Sequence, residues 1–119
     1  MELKEYFSSD KEIEGAKKII TIFHDRPLLD NKIKNTELVL LVLYMLSNKE
    51  KAGLINREKA KGLFVEFGKT NQEFDKAFYE HSGKRKGKQK LTEEKDDTVG
   101  LTFQGLERVK SILGEEQNG

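Results

Sequence analysis

The chain has 119 residues, enough for one domain with a single core, and 22 basic against 21 acidic side chains give a formal net charge of +1. Any affinity for a polyanion must therefore come from a local patch rather than from the net field. Cysteine is absent, which excludes disulfides, thiolate nucleophiles and cysteine-ligated zinc. Neither a signal-peptide core nor an apolar run long enough to span a bilayer is present, so we expect a soluble protein in the cytoplasm or associated with the nucleoid.

The first predicted element is a helix from Ser9 to Phe23. Ser8, Ser9 and Asp10 offer capping side chains before apolar residues at helical spacing. The chain's only proline, Pro27, follows His24 and Asp25 and is expected to end the helix, because the residue before a proline disfavours helical angles. Residues 28–34 are then predicted to form a connector that packs through its apolar side chains.

A second helix is predicted from a cap at Asn35 or Thr36. Nearly every position from Leu38 to Leu46 is apolar, so this helix is expected at the centre of the domain. A strand is the competing interpretation of VLLVL, but the length of the segment and its caps favour a helix.

Two further helices are predicted with a tight turn between them. After a turn at Gly53 and a very short strand at residues 54–55, Asn56 can cap a helix that Gly68 ends. Thr70 and Glu73 have the spacing of a capping box, which begins the next helix. Its inner face is expected to consist of Phe74, Ala77, Phe78 and His81, and Gly83 can end it.

The pattern changes after Lys84. The stretches KQKLT and TVGLT are predicted as the strands of a hairpin, with EEKDD between them as a polar tip. Thr102 is expected to cap a final helix that Gly114 stops, and residues 115–119 are predicted to be a flexible tail. The residues of this helix expected to face inward are Phe103, Leu106, Val109, Ile112 and Leu113.

Three features carry a family resemblance: the segment NREKAKGLFVEFGKTNQEFDKAFYEHSG, the hairpin pattern after it, and LTFQGLERVKSIL. Together they resemble the winged helix-turn-helix superfamily of DNA-binding proteins, over residues 35–114. The resemblance implies a mainly α fold with a small β-hairpin (α+β). It divides the chain into an N-terminal helix and connector (1–34), a winged helix-turn-helix domain (35–114) and the tail (115–119).

Catalytic chemistry has little support in this sequence. The only histidines are His24 and His81, far apart in the chain. His24 beside Asp25 could bind a metal or act as a base, but we interpret it as a helix-end residue that interacts with the helix dipole. His81 is interpreted as a residue at the edge of the core. Because phosphate-loop, metalloprotease and nucleophile-elbow motifs are absent, we predict a protein that is not an enzyme and has no metal or cofactor site.

The fourth helix, residues 70–82, is the candidate for nucleic-acid recognition. In the superfamily that the chain resembles, this helix enters the major groove. Asparagine and glutamine can pair with adenine edges, whereas lysine, tyrosine and the amides at the helix start can bind phosphate. The predicted contact residues are Lys69, Thr70, Asn71, Gln72, Lys76 and Tyr79. Glu73 and Asp75 would repel the DNA backbone unless one of them accepts a hydrogen bond from a cytosine amine. The competing interpretation of the whole helix surface is an ordinary exposed face.

A basic block follows this helix. We expect it to lie beside the same groove and bind phosphates, in which case affinity would fall with salt. The alternative is a solvated linker, which the two glycines of the block favour. The basic side chains are Lys84, Arg85, Lys86, Lys88 and Lys90.

The predicted hairpin tip has the opposite charge. Its acidic residues outnumber its one lysine, whereas a wing that lies along DNA normally carries basic residues. We therefore expect the tip either to be lifted off the duplex or to contact a basic protein surface. The acidic residues are Glu93, Glu94, Asp96 and Asp97.

Two functions remain open on this basis. The first is sequence- or structure-dependent binding of double-stranded DNA, as a transcriptional regulator or DNA-associated accessory protein. The second is a winged-helix module for protein–protein interaction within a larger assembly. A homodimer through the first and last helices is compatible with either, although the first helix could equally complete the monomer core. The apolar residues proposed for that interface are Ile20, Ile22, Leu28, Leu29 and Ile112.

Overall fold

The computed structural model describes residues 1–30 and 32–114, so the predicted tail at 115–119 lies outside the described residues. Within that range the fold is α+β, with five α-helices and two small antiparallel sheets. None of the described helices is both long and apolar enough to cross a membrane. In chain order the elements are a 3-10 helix (Leu3–Glu5), α1 (Asp10–Lys17), β1 (Ile20–Phe23), β2 (Arg26–Leu29), α2 (Asn35–Glu50), β3 (Leu54–Asn56), α3 (Arg57–Glu66), α4 (Asn71–Glu80), β4 (Thr92–Lys95), β5 (Thr98–Leu101) and α5 (Phe103–Ile112).

The prediction of one helix from Ser9 to Phe23 is wrong beyond Lys17. Strands β1 and β2 pair as an antiparallel hairpin in place of the helix end and the connector. The turn residues His24 and Asp25 both have left-handed backbone angles, with φ of 50° and 62°, which suits a tight two-residue hairpin turn. Pro27 is a buried strand residue opposite Ile22 and does not end a helix.

Helix α2 is the centre of the molecule, as its apolar sequence predicts. It begins at Asn35, so its N-cap is Lys34 rather than either predicted capping residue. Its side chains from Leu38 to Leu43, with Met45 and Leu46, are buried. Five elements of the C-terminal part contact it: β3, α3, α4, β5 and α5.

The N-terminal residues pack on this centre. The Ser9 side chain caps α1, and the buried carboxylate of Glu12 accepts a hydrogen bond from the hydroxyl of Tyr44 on α2. Gly15 lies so close to the end of α5 that an added Cβ would be 2.0 Å from the carbonyl oxygen of Leu113. Helix α1 therefore meets the C-terminal end of α5 at Gly15 within one chain.

The core of the single chain takes up part of the surface proposed for a homodimer. Ile20 is buried in the core, whereas Leu28 remains exposed. The other side chains of that proposal are half-buried: Ile22, Leu29 and Ile112.

The second sheet has the strand order β3-β5-β4, with both pairings antiparallel. The very short strand predicted at residues 54–55 is present as β3. The predicted first strand of the C-terminal hairpin is wrong in position: only the last residue of KQKLT, Thr92, belongs to β4, which runs on to Lys95 of the predicted tip, and the turn consists of Asp96 and Asp97 alone. Residues 90 and 91 do not join the strand because their carbonyl oxygens accept hydrogen bonds from the side chain and the amide of Thr102.

Local hydrogen bonds define the helices around this sheet. The side chain of Asn56 caps α3, and Gly68 has the expected left-handed conformation with φ of 86°. Thr102 caps α5, whose buried residues include Val109 and Leu113. Phe103 was predicted to face inward, but it lies in the first turn on the opposite side of the helix from Gly105 and Val109, and it is 71% exposed.

Candidate nucleic-acid interface

Helix α4 presents a polar outer face. Its buried residues are Phe74, Ala77 and Phe78, and the Phe74 ring contacts Phe64 of α3 edge-on and stacks on Phe78. On the opposite side of the helix, the residues that follow each other at intervals of three and four positions are exposed, as helical geometry predicts. These exposed residues are Asn71, Gln72, Asp75, Lys76 and Tyr79.

The start of α4 is fixed by a reciprocal capping box. The Thr70 hydroxyl accepts from the amide of Glu73 at 3.1 Å, and a Glu73 carboxylate oxygen accepts from the amide of Thr70 at 3.0 Å. The other Glu73 oxygen accepts from the side-chain amide of Asn35 at 2.9 Å. These hydrogen bonds, the one from Thr70 first, hold the pKa of Glu73 below its usual value. Half-buried Lys69 lies beside this start, and Glu73 serves the scaffold rather than the open face.

The basic block is a closed loop, which we call the basic loop (residues 84–90). The carbonyl oxygen of His81, at the end of α4, accepts from the amides of both Leu91 and Thr92, at 2.8 and 3.1 Å. These bonds bring the two ends of the loop together. Gly83, just before the loop, and Gly87, within it, have left-handed φ values of 81° and 80° and allow the chain to reverse. All the residues of the basic loop are exposed.

The five cations of the basic loop are not equivalent. Arg85 forms an ion pair with Glu80 of α4, and Lys84 approaches a carboxylate oxygen of Glu94 at 3.5 Å. The other three make no ion pair with any described residue: Lys86, Lys88 and Lys90.

Arg57 is the central residue that the sequence analysis missed. Its guanidinium lies 3.0 Å from Asp75 of α4 and 3.4 Å from Glu94 of β4. It also stacks over the rings of Phe78 and Phe74, at 4.8 and 5.4 Å from the ring centroids. We call the residues joined in this way the Arg57 cluster: Arg57, Lys61, Asp75, Lys84 and Glu94.

The acidic residues of the C-terminal hairpin are divided by this cluster. Glu94 points to Arg57 and Lys84, so it does not belong to the open tip. Side chains alternate along a strand, and Glu93 therefore faces the other side of β4. Glu93, Asp96 and Asp97 are exposed, and the carbonyl oxygen of Asp97 accepts from the Arg57 amide at 2.8 Å.

The two histidines have structural surroundings. Nε2 of His81 lies 2.7 Å from the carbonyl oxygen of Thr36. Burial lowers the pKa of His81, and the positive charges of Arg108 and Lys88 act in the same direction. His24 occupies the turn of the N-terminal hairpin with its ring edge against Phe23, so its prediction as a helix-end residue is wrong.

Within the described residues, no three histidine or acidic side chains are grouped so as to hold a metal ion. The site is therefore best described by its polar helix face and its charges. Comparison with known proteins finds no matching family, no matching curated protein and no matching solved structure.

Proposed function

We propose that the protein binds double-stranded DNA as a winged helix-turn-helix module, in the role of a transcriptional regulator or DNA-associated accessory protein. Helix α4 would enter the major groove and the basic loop would bind phosphates. The observation that carries the proposal is the position of the exposed α4 face beside a closed loop with three lysines that form no ion pair with any described residue. The three features on which the family resemblance rests, a pair of helices (α3 and α4), a hairpin after them (β4 and β5) and a final helix (α5), are present in this order, and this order supports the same proposal.

The charges near α4 also favour this function. A carboxylate on a DNA-facing helix normally repels phosphates, but the carboxylates of Asp75 and Glu94 each lie beside two cations of the protein itself. Their negative field is therefore largely cancelled at short range. Lys76 of α4 and the lysines of the basic loop remain to neutralise phosphates, whereas Asn71 and Gln72 can meet base edges.

The test is binding to labelled duplex DNA by fluorescence anisotropy across a series of salt concentrations. We expect affinity to fall with salt, with a slope of log K against log salt of about −0.9 for each phosphate neutralised. Replacing Lys86, Lys88 and Lys90 together with alanine should make that slope less negative by roughly 2 to 3.

A matched control replaces the same number of lysines elsewhere: Lys11 and Lys17 of α1 and Lys18 at its C-cap. This control lowers the net charge equally but lies outside α4 and the basic loop. If the protein does not bind duplex DNA at micromolar concentration, or if both triple variants change the slope alike, the proposed interface is wrong.

The second candidate function is protein–protein interaction through the acidic hairpin tip. It is favoured by the exposure of Glu93, Asp96 and Asp97, which the Arg57 cluster leaves without a cation partner among the described residues. The double variant Glu93→Lys/Asp97→Lys keeps Asp96, whose left-handed φ of 55° suits an aspartate. If this second function is correct, the variant should lose a protein partner. If instead the protein binds DNA through α4, the same variant should bind the duplex as tightly as the wild type or more tightly.

A further inference from the structure

Asp75 is a carboxylate held in one position on the outer face of α4. Its Oδ1 lies 3.0 Å from Nη2 of Arg57 and 3.3 Å from Nζ of Lys61. The two cations are themselves mostly covered, with side chains 27% and 18% exposed. The Asp75 side chain is 52% exposed, and no described residue donates a hydrogen bond to its Oδ2. One oxygen is therefore anchored, and the other is open to a ligand.

The neighbouring carboxylates differ in this respect. Both oxygens of Glu73 accept hydrogen bonds, from Thr70 and Asn35. Both oxygens of Glu94 lie beside cations, Lys84 and Arg57. Asp75 thus combines an exposed position on the α4 face with an acceptor that has no hydrogen-bond donor in the described structure.

We propose that Asp75 reads a cytosine in the major groove by accepting a hydrogen bond from its N4 amine. This inference rests on the proposed DNA-binding function and adds a base preference to it. In the major groove cytosine presents the N4 amine as a donor, which a carboxylate can accept. Guanine and thymine place acceptors there, and adenine's amine stands beside the N7 acceptor, so an anionic oxygen favours cytosine over all three.

The anchoring by Arg57 and Lys61 explains how an anion can serve at this interface. The two cations offset the charge that would otherwise repel the phosphates. They also hold the side chain in one orientation before DNA arrives, so less conformational entropy is lost on binding. Asn71 and Gln72 on the same face would read other positions of the site, since amides pair with adenine.

The experiment begins by selecting duplexes from a randomised library with the wild-type protein. The affinity of the best duplex is then compared with that of duplexes in which one C·G pair at a time becomes T·A. At the cytosine that Asp75 reads, we expect the wild type to lose about tenfold in affinity. Asp75→Ala should remove that discrimination and leave the preferences at other positions unchanged.

Two variants separate base reading from an effect on charge or folding. Glu93→Ala also removes one exposed carboxylate, on the side of β4 away from the Arg57 cluster, and should keep the cytosine preference. Asp75→Asn keeps the size of the side chain and an acceptor for Arg57, and should shift the preference at the same position towards adenine. A residue with only a structural role would not redirect the base preference.

The outcomes distinguish this inference from the function on which it rests. If the wild type binds no duplex DNA, the proposed function fails and the base assignment fails with it. If the wild type binds duplex DNA but Asp75→Ala and Asp75→Asn retain its base preferences, or if no base preference exists, the function stands and the assignment to Asp75 is overturned.

Discussion

Replacing Arg57 with alanine should destabilise the protein, because this side chain joins three elements. It lies at the start of α3, pairs with Asp75 on α4 and Glu94 on β4, and stacks on the rings of Phe74 and Phe78. Each of these contacts is lost in Arg57→Ala.

The expected magnitude follows from the exposure of the partners. The two carboxylates are 52% and 40% exposed, so each ion pair is screened by solvent and contributes about 0.5 kcal/mol. Stacking of the mostly covered guanidinium on aromatic rings adds about 1 kcal/mol. We therefore expect the free energy of unfolding to fall by about 2 kcal/mol, which moves the urea midpoint by roughly 1 M for a protein of this size.

Urea unfolding followed by circular dichroism measures this change, with Lys59→Ala as the matched control. Lys59 lies in the first turn of the same helix and makes one exposed ion pair, 3.1 Å from Glu50. Its loss should cost at most about 0.5 kcal/mol. Cations are disfavoured at a helix start, so helix energetics favour alanine at both positions and cannot account for a loss at Arg57 alone.

A third variant separates charge from geometry. Arg57→Lys keeps the charge but loses the planar fork, and should retain only part of the stability. The reasoning about Arg57 is refuted if Arg57→Ala and Lys59→Ala shift the urea midpoint by the same amount.

Two other predictions concern the close approach at Gly15 and the pH dependence caused by His81. Gly15→Ala would place a Cβ 2.0 Å from the carbonyl oxygen of Leu113 and should lower the free energy of unfolding by about 1–3 kcal/mol. In the control Gly62→Ala the new Cβ has nothing within 4 Å, so the free energy of unfolding should rise by about 0.5–1 kcal/mol. Thermal unfolding of both variants measures the difference. Burial lowers the pKa of His81 in the folded state, so the unfolded chain binds a proton first and stability should fall as the pH drops below about 6.5. Urea midpoints measured at about pH 7.5 and about pH 5.5 should show this loss in the wild type and in the control His24→Gln, which replaces an exposed histidine. The loss should be smaller in His81→Gln.

The sequence predicts the elements that are determined by local hydrogen bonds. Asn56, Thr70 and Thr102 each accept from an amide two or three residues further on, so their caps can be recognised without knowledge of the rest of the fold. The central position of α2 is also predictable, because most of its side chains between Leu38 and Leu46 are apolar. These signals lie within single segments of the chain.

The N-terminal hairpin could not be predicted in the same way. The apolar residues from Ile19 to Phe23 fit a helical face, but Ile20 and Ile22 also fit the alternation of a strand. What selects the strand is its pairing with β2 and a turn in which His24 and Asp25 adopt left-handed angles. Those residues are not the glycine or asparagine that usually marks such a turn.

The sequence predicts which residues of α4 are exposed, but it does not predict the ion pairs between them and the rest of the chain. Counting charges along the chain separates a basic block from an acidic tip. The folded chain instead joins Arg57 to Asp75 across 18 positions and to Glu94 across 37 positions. No local pattern marks such pairs, because they depend on the packing of α3, α4 and β4.

These long-range pairs change how the acidic residues bear on function. Glu94 and Asp75 are engaged by cations next to α4 and do not count as free negative charge against DNA. Glu93 lies on the opposite side of β4, so its charge is directed away from that cluster. DNA binding and binding of a protein partner would then use different surfaces of one small protein. The lysines replaced in the basic loop form no ion pair with the replaced acidic residues of the tip among the described residues, so the lysine variants and the acidic-tip variants should act independently of each other.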